Sequence, residues 1–196
     1  MLPIFTLTTP RLTIRPFVVE DLDAYHPIAN AGFGEEPLAE RREWIEWVTR
    51  NYAGLARLYQ PPYGDRAITL TATGELIGSV GIVPSMGPFD KLPYFRERQP
   101  DAPADLFRPE VGLFWVISPA HQRQGYAAEA ATAVVNYLFT EWHLNRIIAT
   151  TEYDNEASIS VMRRIGMRIE RNPDPTPEWF QVVGILEHPS LRTDNR

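Results

Sequence analysis

Val116-Ile-Ser-Pro-Ala-His-Gln-Arg-Gln-Gly-Tyr-Ala-Ala-Glu-Ala130 is the stretch whose reading decides the fold. An apolar run ends, a tight turn carrying Gly125 follows, and a helix begins. The first turn of a helix leaves backbone N–H groups without partners and presents about half a positive charge, so it is a ready site for an anion. A side chain at Gly125 would stand in the way of a phosphate oxygen approaching those amides. Ala127 keeps the next step small, and Arg123 adds charge at the rim. The spacing is neither G-x-x-x-x-G-K-[ST] nor G-x-G-x-x-G, which sets aside the nucleoside-triphosphate and dinucleotide loops. What remains is Gln122-x-x-Gly125-x-Ala127.

Working outward, Glu110 to Ile117 is apolar nearly throughout and predicts a central strand buried on both faces. The helix is predicted from Gly125 to about Glu141, with Ala127, Ala131, Val134, Val135, Leu138 and Phe139 toward the core. Arg146 to Thr151 reads as a strand and Asn155 to Ile165 as a helix ended by Gly166, where a left-handed residue is wanted. Met167 to Arg171 and Trp179 to Glu187 give the last two strands. Upstream, Arg11 to Pro16 alternates as a half-buried strand, and Val18 to Tyr25 predicts a short helix stopped before Pro27. A long amphipathic helix runs from Leu38 to about Gln60 through Trp44, Ile45, Val48, Tyr52, Leu55 and Tyr59. Ala67 to Thr71 and Leu76 to Val83 form a hairpin about a glycine-bearing turn. The pattern dissolves between Pro84 and Pro109, and a loop of that length is functional or mobile.

The 196 residues, 44% hydrophobic, suit one domain over 1–196, with a peripheral tail at 189–196. A net charge of -6 gives no long-range attraction to nucleic acid or anionic lipid. With no cysteine there is neither a disulfide nor a thiolate nucleophile, and His26, His121, His143 and His188 lack metal-site spacing, so no metal is expected. The N-terminus does not read as a signal peptide and no run reaches the roughly 18 to 20 apolar residues of a membrane span, which points to a cytoplasmic protein.

The Gln122, Gly125, Ala127 pattern closely resembles [QR]-x-x-G-x-[GA], the pyrophosphate loop of the GNAT acetyltransferases. Thr9-Pro-Arg-Leu-Thr-Ile-Arg-Pro-Phe17, Leu76-Ile-Gly-Ser-Val-Gly-Ile82, Glu110-Val-Gly-Leu-Phe-Trp-Val116 and Asn155-Glu-Ala-Ser-Ile-Ser-Val-Met-Arg-Arg-Ile-Gly166 resemble, in the right order, the branch that includes the ribosomal-protein N-terminal acetyltransferases. The fold implied is α/β (α+β), a mixed central sheet of about six to seven strands flanked by helices. The activity implied is transfer of an acetyl group from acetyl-CoA to a primary amine, a protein N-terminus or a small molecule, by direct attack. A homodimer is left open.

The resemblance also assigns roles. The amides of Gln124, Gly125, Tyr126 and Ala127, with Arg123, would cradle the pyrophosphate. Trp115, Val116 and Ile117 would lend backbone groups to the pantetheine, one amide polarising the thioester carbonyl. Glu110 is the first candidate for general base and Glu152 the second, although a solvated strand-end carboxylate explains Glu110 equally well. Asn155 would hydrogen-bond the cofactor and also fits as a helix N-cap. Many members place a tyrosine seven residues after this asparagine as the thiolate's acid; here Met162 stands there, so the acid role falls to Ser158 or to water. Trp44, Trp47 and Tyr52 would line an acceptor wall or simply be core, and the loop around Tyr94 would form a lid. The missing tyrosine leaves a second reading open, a non-catalytic acyl-CoA sensor or interaction module on the same fold.

Overall fold

The computed structural model describes residues 3–191. Strands run Leu7–Thr8 (β1), Leu12–Pro16 (β2), Gly64–Leu70 (β3), Leu76–Gly87 (β4), Arg108–Ile117 (β5), Arg146–Thr151 (β6), Arg168–Arg171 (β7) and Val182–Glu187 (β8). The sheet order is β1-β2-β3-β4-β5-β6-β8-β7. Eight strands replace the expected six to seven because β1 has two residues, too few to show a period. The fold class is the mixed α/β one the sequence implied. By their contacts the residues form two compact units, one drawn from Met1–Ile82 and Phe114–His143, the other from Val83–Leu113 and Leu144–Arg196.

In the first unit β2, β3 and the start of β4 form an antiparallel meander. Over it lie α1 (Leu22–Phe33) and α2 (Leu38–Arg57), burying Phe17, Tyr25, Ile45, Val48, Tyr52, Ala67 and Val116 in one cluster. The first helix runs eight residues beyond Tyr25, past Pro27, to Gly34 at φ 100. Proline removes one donor from the ladder, and buried Ile28 and Ala29 beyond it hold the helix together. The second helix stops at Arg57, leaving Tyr59 85% exposed and left-handed rather than on the buried stripe. Gly32 and Gly78 both approach Val116, where an added Cβ would come within 2.3 Å of its Cγ2 and 2.2 Å of its carbonyl. Small residues therefore let α1 and β4 close directly on the end of β5.

α4 (Tyr126–Thr140) also belongs to this unit. Its buried face is Ala128, Ala130, Ala131, Val134, Val135, Leu138 and Phe139, with Ala127 half-buried instead of in the core.

In the second unit β8 pairs antiparallel with β6 and β7, and β5 meets β6 in parallel at Gly112↔Ile148. The expected start of β8 at Trp179 is taken by a 3-10 turn, Glu178–Phe180, that buries Phe180. α5 (Glu156–Arg164) is closed by Gly166 at φ 87, with Met167 N–H bonding back to the Met162 carbonyl. The segment 84–109 packs its region around Tyr94 into a core, not as a lid. It extends β4 through Gly87, then forms a 3-10 turn at Phe89–Lys91 and a short helix, α3, at Pro93–Arg96. These insert Phe89, Leu92, Tyr94 and Phe95 into a core with Ile148, Phe180, Val183 and Ile185. Tyr94 N–H donates to Glu170, its hydroxyl donates to Glu187, and Arg108 bridges to Asp90 at 2.8 Å. Of the tail, Pro189–Leu191 is an exposed 3-10 turn, and 192–196 lie outside the described residues.

Candidate functional site

The turn before α4 has the geometry its sequence requires. Gly125 is the N-cap at φ 83, ψ 4, with no side-chain cap, and Arg123 is left-handed at φ 62. Left-handed residues at 123 and 125 turn successive N–H groups toward one side, the concavity that accepts anions. Among the described residues nothing accepts from the first-turn amides of Tyr126, Ala127 and Ala128. A non-glycine residue held at positive φ is strained by about 1 to 3 kcal/mol, so Arg123 stores strain in the turn. Gln122, Arg123 and Gln124 are exposed and Gly125, Tyr126 and Ala127 half-buried, which leaves the mouth open to solvent.

The loop is tied to the strand before it. Gln122 donates from Nε2 to the Ile117 carbonyl at 3.0 Å, so its side chain closes the turn and its main chain is left at the mouth. Trp115 is half-buried, and Val116 and Ile117 are 7% exposed.

A second tether was not foreseen. Arg11 lies with its guanidinium 4.4 Å from the Tyr126 ring centre, donating to the Gln124 carbonyl at 3.1 Å and to Glu129 Oε2 at 2.7 Å. Thr9 Oγ1 and Arg11 N–H both donate to Glu129 Oε1, at 2.6 and 3.1 Å. Burial pushes the Glu129 carboxyl up, but these bonds outweigh it and hold it below the usual carboxylate range. Arg11 thus ties the chain ahead of β2 to the helix mouth as an ion pair with Glu129, which in the first turn complements the helix dipole. No local pattern signals this, since 118 residues separate Arg11 from Glu129.

The remaining candidates lie in the second unit. Glu110 is 5% exposed at its side chain and accepts from Arg146 with both oxygens, at 2.8 and 2.5 Å, with Arg108 3.6 Å away. Its carboxylate is therefore neither solvated nor free. Burial works against the Arg146 charge, but Glu110 and Tyr94 more than offset that and raise its pKa. Asn155 caps α5, its Oδ1 accepting from Ser158 N–H at 3.0 Å, and its Nδ2 lies 3.5 Å from Glu152. Glu152 is lowered by its own backbone N–H, against some burial, with help from Thr151 and Asn155. Ser158 is half-buried and its hydroxyl makes no hydrogen bond among the described residues.

Met162 is 1% exposed and packs on Gly184, where an added Cβ would meet its Sδ at 3.0 Å. Of the proposed acceptor wall, Tyr52 is core at 4% exposed, Trp44 is half-buried and stacks on Tyr25 at 5.3 Å against that core, and Trp47 is exposed. Among the described residues no His, Asp or Glu cluster suits a metal ion, and no helix is long and apolar enough to cross a membrane.

A strand running into a helix start with uncapped amides and the exposed Arg123 beside it has the geometry of an anion-binding loop. The family is shown by comparison: the chain belongs to the GNAT acetyltransferases, the Acetyltransferase (GNAT) domain matching residues 11–168. It is an acyltransferase of that family. The N-acetyltransferase YoaA of Bacillus subtilis, itself uncharacterized, is 32% identical over 87% of this chain and 85% of its own. YnaD of the same organism is 51% identical over 31% of this chain, a match spanning about a third (35%) of its own length. Spermidine N(1)-acetyltransferase of Escherichia coli is 25% identical over 80% of this chain and 73% of its own. Among solved structures, an acetyltransferase from Agrobacterium tumefaciens aligns with a TM-score of 0.67 at 24% identity, covering 95% of this chain and 96% of that one. RimL, the ribosomal L7/L12 alpha-N-protein acetyltransferase in complex with coenzyme A, aligns with a TM-score of 0.59 at 14% identity over 94% of each chain. Both structural likenesses speak to the fold alone.

Proposed function

We propose that the chain transfers the acetyl group of acetyl-CoA to a primary amine by direct attack, with no covalent enzyme intermediate. The observation that carries this is the bare helix mouth at Gly125, φ 83, flanked by Arg123 and Arg11. The amides of Gln124, Gly125, Tyr126 and Ala127 hold the pyrophosphate, with Arg123 adding positive charge at the rim. Main-chain groups of Trp115, Val116 and Ile117 pair with the pantetheine, and one N–H polarises the thioester carbonyl. Asn155 and Ser158 serve the same cofactor, Ser158 as the proton donor to the departing thiolate, directly or through water.

Glu110 takes a different role from the one its position suggests. With both oxygens engaged by Arg146 it anchors β5 beside β6 and does not collect the amine proton. The acceptor is a small amine or a protein N-terminus, in keeping with the Escherichia coli relative, a spermidine N(1)-acetyltransferase, and the structural neighbour RimL, an alpha-N-protein acetyltransferase of ribosomal L7/L12. The enzyme works as one catalytic domain in the cytoplasm.

Isothermal titration with coenzyme A, followed by thiol release from acetyl-CoA with a panel of amines and unblocked peptides, tests the reading. Binding and amine-dependent release are expected. Binding with no release for any amine would favour an acyl-CoA sensor, the alternative that the absence of a tyrosine at 162 leaves open.

A further inference from the structure

A polar corner of the first unit is left over from the fold. Tyr25 on α1 bonds through its hydroxyl to Ser79 Oγ on β4 at 2.8 Å and stacks on Trp44 of α2. Arg41 of α2 lies 5.6 Å from the Trp44 ring centre and pairs with Glu36 at 2.5 Å. Asn30 donates to the Glu36 carbonyl and approaches His26 Nε2, each at 3.4 Å. Asp65 of β3 stands opposite Gly81 of β4 and bears electrostatically on Tyr25, while Arg41 bears on it. The corner's own hydrogen bonds are not complete. Among the described residues, His26 Nδ1, Asn30 Oδ1 and Arg41 Nε are buried without a hydrogen-bond partner, Arg41 being 8% exposed. Asp65 is half-buried and makes no ion pair among the described residues, and its own backbone N–H donates to its carboxyl. Buried polar groups are ordinarily satisfied, and several unmet in one place call for a ligand or ordered water.

The corner also lies beside the proposed donor strand. Gly32 of α1 closes on Val116, and the Phe33 and Phe114 rings meet edge to face at 6.0 Å. An added Cβ at Gly81, the partner of Asp65, would meet the Phe114 ring at 2.0 Å. Strands lie about 4.8 Å apart, so Asp65 stands roughly 10 Å, two strand spacings, from the β5 backbone. A water between the attacking nitrogen and the carboxylate relays the proton across that gap. The carboxylates of Glu110 and Glu152 already have partners.

Resting on the acetyl-transfer reading, we infer that Asp65 is the group that receives the acceptor's ammonium ion, in the corner formed by Tyr25, Arg41 and Ser79, and takes its proton. The ammonium gives one proton to the carboxylate. The neutral nitrogen then attacks the thioester carbon, the C–S bond breaks, and the nitrogen's second proton goes to the thiolate. Asp65 releases its proton to solvent as product leaves. Burial pushes this carboxyl up to about 7, against the pull of Arg66 beside it on β3 and of Arg41. The other titratable groups facing it are Tyr25 from α1 and Tyr52 from α2, both raised chiefly by burial and neutral at working pH. A base with a pKa near 7 is matched to proton transfer at neutral pH.

The test uses D65N, with spermidine and an unblocked seryl hexapeptide as acceptor probes. The native carboxyl is raised on folding, so its charge weighs against folding above about pH 7. D65N therefore melts no lower than the native chain at pH 8. Expected for D65N is a loss of about 100-fold or more in kcat/KM and of the inflection near 7, with coenzyme A affinity unchanged. A variant that keeps both the rate and the inflection overturns the assignment. Carbon-13 titration of the native aspartate carboxyls reads the same claim without a variant. One inflection near 7 that moves down when spermidine is added is expected, and its absence, or indifference to spermidine, overturns the inference. If coenzyme A binds and the native chain acetylates neither probe nor any other amine, it is the acetyl-transfer reading that fails, and the carboxyl titration still decides Asp65.

Discussion

Gly125→Ala isolates the helix mouth, and Gly125→Asn is its control. The native residue sits at φ 83, ψ 4, where a Cβ is held too close to the following carbonyl at a strain of roughly 1 to 2 kcal/mol. For a chain of this length each kcal/mol moves the melting temperature by about 2 to 4 °C, so alanine lowers it by roughly 2 to 8 °C. Coenzyme A binding suffers separately, because the new methyl group occupies space that a phosphate oxygen must enter. Losing one amide bond to a charged group removes about 1.5 to 3 kcal/mol, a weakening of roughly ten- to a hundredfold. Asparagine visits the left-handed region readily, so it carries less of the strain and all of the obstruction. Differential scanning fluorimetry and isothermal titration on the same samples should find asparagine melting above alanine with a similar loss of affinity. If affinity instead tracks melting temperature, asparagine binding as the native chain does while alanine fails, the loss is one of backbone strain and the cradle argument is refuted.

Two further outcomes follow from the ion pairs. Arg146→Met leaves Glu110 charged, 5% exposed and without its main partner, and such a buried orphan destabilises by about 3 to 5 kcal/mol; urea denaturation at neutral pH should show it, with most of the loss recovered in the Glu110→Gln/Arg146→Met double variant. No recovery would mean the pair is not what holds β5 and β6. Glu129→Gln probes the Arg11 tether: the native carboxyl is depressed on folding, so its contribution is present above its ordinary value and is lost as pH falls through the folded one. Melting curves of the two proteins should separate at neutral pH and converge in acid, and a gap independent of pH would show that the charge of Glu129 is not involved.

The helices and the chemistry-bearing turn were legible because their signals are local. Gly125, Gly166 and Asn155 sit where the chain must turn left-handed or accept an end amide, and a sequence shows such needs directly. Misreadings came where tertiary burial overrode a local signal. Pro27 is a stop signal that loses to Ile28 and Ala29 packed beyond it. The stretch 84–109 is rich in proline and charge and lacks a period, yet its aromatics lock it into the second unit, because a four-residue helix and a 3-10 turn are too short to show one. Glu110, Arg11 and Asp65 take their roles from partners on other strands or helices, and no spacing within the chain announces those partners.

The departure at position 162 has a steric origin. Met162 is buried on α5, held against Gly184 of β8 and near Met167, whose Sδ lies 2.7 Å from where a Cβ on Gly184 would stand. A tyrosine there would have to bury its hydroxyl among sulfur and backbone with no acceptor offered, and an unmet buried hydroxyl costs about 1 to 3 kcal/mol. Met162 itself is a thioether with no proton to donate. One helical turn earlier, Ser158 is half-buried, its amide already satisfied by Asn155 and its hydroxyl uncommitted. Because residues four apart share a helix face, a donor for the thiolate moves to Ser158 without any change in the path of the helix. The missing tyrosine thus relocates the acid in the proposed mechanism and does not by itself argue that the chemistry is lost.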